Sequence, residues 1–353
     1  MNYETYKIFF TFFLATVAGS CSQDNQSNSG INDNDQLCYS EPKINYICGP
    51  LNAEDLLSVG DTGMILASGM NGMLDGSETN GHIYLINPID KSWADLVSGP
   101  NFSQNIDSES YPECPGPLNI DDYSAHGLAL KEIENSYFDL YITSHGAREA
   151  IEIFTLDMRD AGAKLIWKGC VPLDESIMHN SLAILSDGGF ITTQFMTWAG
   201  GVESAFSGEA RGSLVIWRPG EQPTIMPNSE LGAPNGIVLS DDERYIFVAA
   251  FATNEIVRFD LTKNPIEIDS STLDILPDNV RWGKPGMLLT AGGNIAGDGW
   301  SVIEIEAETM EPSRVSNMNN DTILKGASSA LQIENTIWVG TYSGDRIGYF
   351  ERE

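Results

Sequence analysis

Tyr245–Leu261 reads YIFVAAFATNEIVRFDL, and Thr336–Glu351 reads TIWVGTYSGDRIGYFE. Each is a β-branched and aromatic run, a short polar turn, and a second run closing on an aromatic residue. Such runs have strand length and composition, and the Asn, Gly and Asp residues between them form turns. A longer version, LYITSHGAREAIEIFTLD, occupies Leu140–Asp157. The second runs of these pairs, together with IYLINP, LVIWRP and VIEIEA, give six units. They recur at roughly 40 to 70 residues, the spacing of propeller blades. No long run carries a helical period. Residues 44–353 are therefore expected to form an all-β, six-bladed propeller with a central tunnel lined by the inner strands. Two packed sheets are the alternative, against which the repetition argues. GMNGMLDGSETNG and TWAGGVESAFSGEARG read as excursions from this frame.

His126–His145, HGLALKEIENSYFDLYITSH, is an apolar run, a polar turn and an alternating run. A hairpin there brings its outer ends together and sets the two imidazoles side by side at a sheet rim. The chain has 4 histidines, so such a pair is an acid–base candidate. His179 is a rival base, and His82 reads as structural.

Lys and Arg number 19 against 50 Asp and Glu, a formal charge of -31 in 353 residues. A field of that sign repels phosphate backbones and excludes nucleic acid as a partner, while favouring divalent cations. The acids are scattered along the chain, so most must be solvated surface. GxSxG, HExxH and phosphate-loop patterns are missing, which disfavours a serine hydrolase or a zinc protease.

The apolar run IFFTFFLATVAGS, residues 8–20, has signal-peptide length. It ends in Ala18-Gly19-Ser20-Cys21, which resembles a bacterial lipobox with Ala18 in the usual leucine place. Residues 1–20 are thus expected to be removed, Cys21 lipidated, and 21–43 to form a polar tether. Ser22 after the cysteine resembles an outer-membrane address, so the expected location is the periplasm or the outer membrane, with membrane contact through the lipid alone. Cys38, Cys48, Cys114 and Cys170 remain, an even set that suggests two disulfides in an exported chain. Three pairings are open.

Glu54 and Asp55 in NAEDLL, Asn180 in MHNSLAIL, Asn235 in APNGIVLS, and Asp278 and Asn279 in LPDNVRW each precede an apolar run. Each would sit at the mouth of a strand. Hard oxygen donors converging there from separate blades suit calcium, which takes six to eight oxygens.

Taken together, AEDLL, AHGLAL, LYITSHGAREAIEIF, HNSLAIL, APNGIVLSDDERYIFVA and LPDNV resemble the paraoxonase family of calcium-dependent lactonases and arylesterases. That family lies within the gluconolactonase-like (senescence marker protein, or regucalcin) six-bladed propellers. The resemblance runs from about Glu54 to the C-terminus. It implies a catalytic calcium held in the tunnel by Glu54, Asn180, Asn235, Asp278 and Asn279. It implies a second calcium at Asp55 and the Leu128 carbonyl, where Ser181 stands in place of the family's aspartate. His126 and His145 match its catalytic dyad. A third family histidine falls near Gly293-Asn294, and a pocket aspartate falls near Phe195. The family's disulfide joins the chain ends, whereas no cysteine here follows Cys170.

The expected protein is a monomeric, calcium-dependent hydrolase of small lactones or aryl esters. Calcium would polarise the carbonyl, and His126, oriented by His145, would activate water. A sugar lactonase of the gluconolactonase branch and a non-catalytic, calcium-stabilised binding propeller are the alternatives.

Overall fold

In the computed structural model, which describes residues 38–72, 80–160, 162–263 and 266–352, the repeated pairs are the second and third strands of successive sheets. Tyr245–Ala250 pairs antiparallel with Glu255–Asp260, and Thr336–Thr341 with Arg346–Glu351. Six such sheets form an all-β, six-bladed propeller. Their first strands are Ala53–Ser58, Tyr123–Glu134, Ile177–Ile184, Pro234–Leu239, Val280–Trp282 and Ala327–Ile333, in blades 1 to 6. These strands touch one another around the axis and line the tunnel.

The apolar runs are continuous because each blade is packed on both faces. In Tyr245–Ala250, Ile246, Val248 and Ala250 join the core shared with blade 3. Phe247 and Ala249, pointing the other way, join the core shared with blade 5. One such cluster fills each of the other gaps between neighbouring blades. A further cluster, with Met70, Met178, Phe195, Met196 and Phe251, belongs to loops and strand ends. The only α-helix among the described residues, Gly201–Phe206, lies in the second excursion and contributes Ala205 to it. The first excursion falls largely outside the described residues.

Closure uses both chain ends. Asn45–Cys48 is the outermost strand of blade 6 and pairs antiparallel with Arg346–Glu351, Asn45 opposite Tyr349. Cys38 is bonded to Cys48, and Cys114 to Cys170, which settles the pairing that sequence left open. Blade 2 carries a fifth strand, Phe102–Gln104, parallel to Lys164–Pro172. The two disulfides fit an oxidising, exported environment. The expected signal segment, Cys21 and most of the expected tether lie outside the described residues.

Candidate active site

Pairing of the first strand with the second breaks at an equivalent place in each blade. The register skips Glu54 in blade 1, His126 and Gly127 in blade 2, Asn180 and Ser181 in blade 3, Asn235 and Gly236 in blade 4, and Ser328 in blade 6. In blade 5, pairing begins at Val280, directly after Asn279. A bulge re-aims its residue, and here every blade contributes one buried polar side chain: Glu54, His126, Asn180, Asn235, Asn279 and Ser328. The chain closes tightly behind them. A Cβ on Gly127 would lie 2.5 Å from the Asn180 carbonyl oxygen, so only glycine lets these two strands approach.

The side chains of this ring are partnered in one direction. Asn279 Nδ2 donates to Glu54 Oε1 at 2.6 Å, and Asn180 Nδ2 lies 3.2 Å from His126 Nε2. His126 Nε2 is 3.8 Å from Glu54 Oε1. Asn235 hydrogen-bonds the Asp278 carboxyl. Each amide thus spends its NH2 on a neighbour. What remains is a set of buried oxygens, Glu54 Oε2, Asn180 Oδ1, Asn235 Oδ1 and Asn279 Oδ1, with no hydrogen-bond partner among the described residues. Buried acceptors are ordinarily satisfied. Four unsatisfied ones, three neutral amides with a carboxyl group, are hard oxygen donors of the type that could hold a calcium ion. Among the described residues no group of three or more His, Cys, Asp and Glu is disposed to hold a metal.

Charge in the ring points the same way. Burial, with Asp278 and Asp55 nearby, pushes the Glu54 carboxyl well above the usual carboxylate range. Burial pushes Asp278 up to about 8. Burial outweighs the Asn279 and Asn235 hydrogen bonds at these two acids, and a cation in the ring would favour their ionised form.

The two histidines meet as the hairpin requires. Ser124 is opposite His145 in the register, and His126 Nδ1 lies 2.8 Å from His145 Nε2. His145 Nδ1 in turn lies 2.7 Å from Glu149 Oε1. One set of tautomers satisfies the whole chain: His145 Nδ1–H donates to Glu149, His126 Nδ1–H donates to His145, and the His126 Nε2 lone pair faces the ring. Burial holds His145 down to about 3, and burial with the neighbouring imidazole holds His126 well below its usual value, so both are neutral. Trp198 Nε1 donates to Glu149 Oε1 at 3.2 Å, and its ring meets His145 edge-on with centroids 5.6 Å apart.

Glu149 was not among the residues the sequence singled out. It sits in SHGARE, a stretch that reads as a simple turn, four places after His145. His179 faces it too, with Nδ1 3.8 Å from Glu149 Oε2. His82 Nδ1 lies 2.9 Å from Asp95 Oδ2, joining the third strand of blade 1, His82–Ile86, to the fourth, Trp93–Asp95. Asn294 hydrogen-bonds Asp298 and Asn317 at the surface. Phe195 packs edge-on against Phe251 in the loop-and-strand-end cluster. Met178, Ala233 and Leu276 of this cluster each stand two places before Asn180, Asn235 or Asp278, so apolar side chains border the ring.

The residues expected around a second ion have a different partner. Asp55 and the Leu128 carbonyl both accept hydrogen bonds from Arg281.

No family model matches the sequence, and no curated protein matches it. Solved structures do. The chain is similar to a protein described as a candidate gluconolactonase, at 13% identity and a TM-score of 0.54, covering 90% of this chain and 96% of that one. It is similar to a luciferin-regenerating enzyme, at 12% identity and a TM-score of 0.52, covering 87% and 95%. A virginiamycin B lyase from Staphylococcus aureus follows, at 14% identity and a TM-score of 0.50, covering 88% and 99%. At these identities the likeness is one of fold.

Proposed function

We propose that the chain is a calcium-dependent hydrolase of lactones or aryl esters, exported and held at the envelope by a lipid on Cys21, and acting as a monomer. The observation that carries this reading is the set of partnerless oxygens on Glu54, Asn180, Asn235 and Asn279 beside the His126 lone pair. Those residues, with Asp278, would hold the ion.

When bound, calcium supplies positive charge to a carbonyl oxygen that becomes an oxyanion. The remaining work belongs to the chain. With the Asn180 NH2 turned from it, His126 Nε2 accepts a proton from water as the water oxygen bonds to the carbonyl carbon. Collapse of the adduct breaks the ester C–O bond, and the proton passes from His126 to the departing alkoxide. His145 and Glu149 hold His126 in the tautomer whose basic nitrogen faces the ring. The bordering apolar residues exclude bulk water and offer a surface to an acyl or aryl group.

A sugar-lactone substrate is the second reading, favoured by the fold likeness to the candidate gluconolactonase. A panel of aliphatic lactones, gluconolactone and phenyl acetate, assayed in calcium and in chelator, tests both. Calcium-dependent turnover is expected, and the preferred lactone separates the readings. Absence of turnover, with a calcium-dependent gain in melting temperature, would make this a binding propeller. Neither effect would remove the ion from the ring.

A further inference from the structure

The first strand of blade 5 turns a second polar side chain toward the axis. Two places after Asn279, Arg281 points to the same side of the strand. It is 8% exposed. Its Nε donates to Asp55 Oδ1 at 3.1 Å and to the Leu56 carbonyl at 3.2 Å. Its Nη2 donates to Asp55 Oδ2 and, at 2.9 Å, to the Leu128 carbonyl. The Leu128 N–H donates to the same Asp55 oxygen at 2.8 Å. One guanidinium therefore clamps blades 1, 2 and 5 together through the oxygens that the family resemblance assigns to a second calcium. The third member of that set is Ser181, which brings no charge.

We infer that Arg281 is a built-in cation that takes the place of the second calcium, so that no divalent ion binds at Asp55 and the Leu128 carbonyl. Asp55 does not fit a second ion while the guanidinium holds it. The planar fork matches a carboxylate through two parallel bonds, and a divalent ion beside it would meet a like charge in a buried setting. Charge balance agrees. Glu54, Asp55 and Asp278 are buried acids. Arg281 neutralises Asp55, and the two that remain match one divalent ion. The guanidinium is covalently part of the chain and cannot be drawn out of it by a chelator. A chelator should therefore empty the ring while this clamp stays closed. The inference goes beyond the proposed function, and only the total ion count depends on that reading.

The test is calcium content after equilibrium dialysis, with thermal unfolding, for the parent protein, Arg281→Ala and Arg281→Lys. Arg281→Ala is expected to bind one more calcium per chain than the parent, and to gain more melting temperature than the parent in millimolar calcium. Arg281→Lys, which keeps a charge there, should match the parent's count. A parent that binds two ions, or an Arg281→Ala protein that gains none, overturns the inference. A parent with no ion and an Arg281→Ala protein with one would sink the ring reading and leave this one standing. If Arg281→Ala folds only when calcium is present, the inference is supported. If it fails to fold in either condition while Arg281→Met/Asp55→Leu folds, calcium cannot replace the guanidinium and the inference fails.

Discussion

Asn279 Nδ2 donates to Glu54 Oε1 at 2.6 Å across 225 residues of sequence, joining blade 5 to blade 1. The bond orients both groups at once: it turns the Asn279 amide oxygen and Glu54 Oε2 to where neither has a protein partner. Asn279→Ala removes one donor oxygen and frees Glu54 to rotate. Calcium affinity, read by calorimetry, is expected to fall by at least about 10-fold, the scale on which residues that orient metal ligands act. Unchanged affinity would place the ion elsewhere.

Asp278 supplies a pH test. Its carboxyl is pushed from an ordinary 3.8 up to about 8 in the folded chain. Between those values the folded state holds a proton that the unfolded state has lost, so stability falls as pH rises across that window. In chelator the melting temperature should decline from about pH 4 to about pH 8. Calcium binds the ionised form, so its stabilisation should grow with pH over the same window. A flat profile in chelator would show that Asp278 is ionised without an ion.

His126→Gln should retain calcium and lower kcat by about 10²- to 10⁴-fold, the usual contribution of a general base. Glu149→Gln keeps the shape but weakens the hold on the His145 tautomer. It should reduce kcat with little change in KM, and less severely than His126→Gln. Full activity in His126→Gln would transfer the role to His179, which also faces Glu149.

Gly127→Ala tests the closeness of the strands. The added methyl meets the Asn180 carbonyl oxygen and the Ser181 Cα, both at 2.5 Å. Both are backbone atoms and cannot turn aside. A loss of about 1–3 kcal/mol in denaturant unfolding is expected, with weaker calcium binding because Asn180 moves. A neutral substitution would mean that the blades slide freely at the ring.

The repeated strand pairs were legible because each is buried on both faces, which gives long apolar runs such as Tyr245–Ala250 that a half-exposed sheet would not show. The ring was legible where Asn or an acid precedes such a run. Ser328 was not, since a serine before a strand carries no chemical mark of its own. Arg281 lay in view in LPDNVRW. Its inward direction follows from its two-residue spacing after Asn279, but its partner Asp55 is 226 residues away and no local pattern names it. Glu149 was hidden in a turn, where an acid is ordinary. The pairing of the cysteines depended on where the loops that carry Cys38 and Cys114 meet the strands Asn45–Cys48 and Lys164–Pro172, which spacing alone cannot supply.

Blade 6 takes its outer strand from Asn45–Cys48 and its other three from the last stretch of the chain. A growing polypeptide can therefore complete five sheets while the sixth waits for Arg346–Glu351 to be made. Blade 6 also brings Ser328 into the circle, where its hydroxyl donates to the Glu54 carbonyl at 2.6 Å. The circle of inner strands thus stays open until blade 6 is in place. Displacing Arg346–Glu351 from Asn45–Cys48 would leave a broken arc, so this one antiparallel pairing governs whether the circle of inner strands holds together.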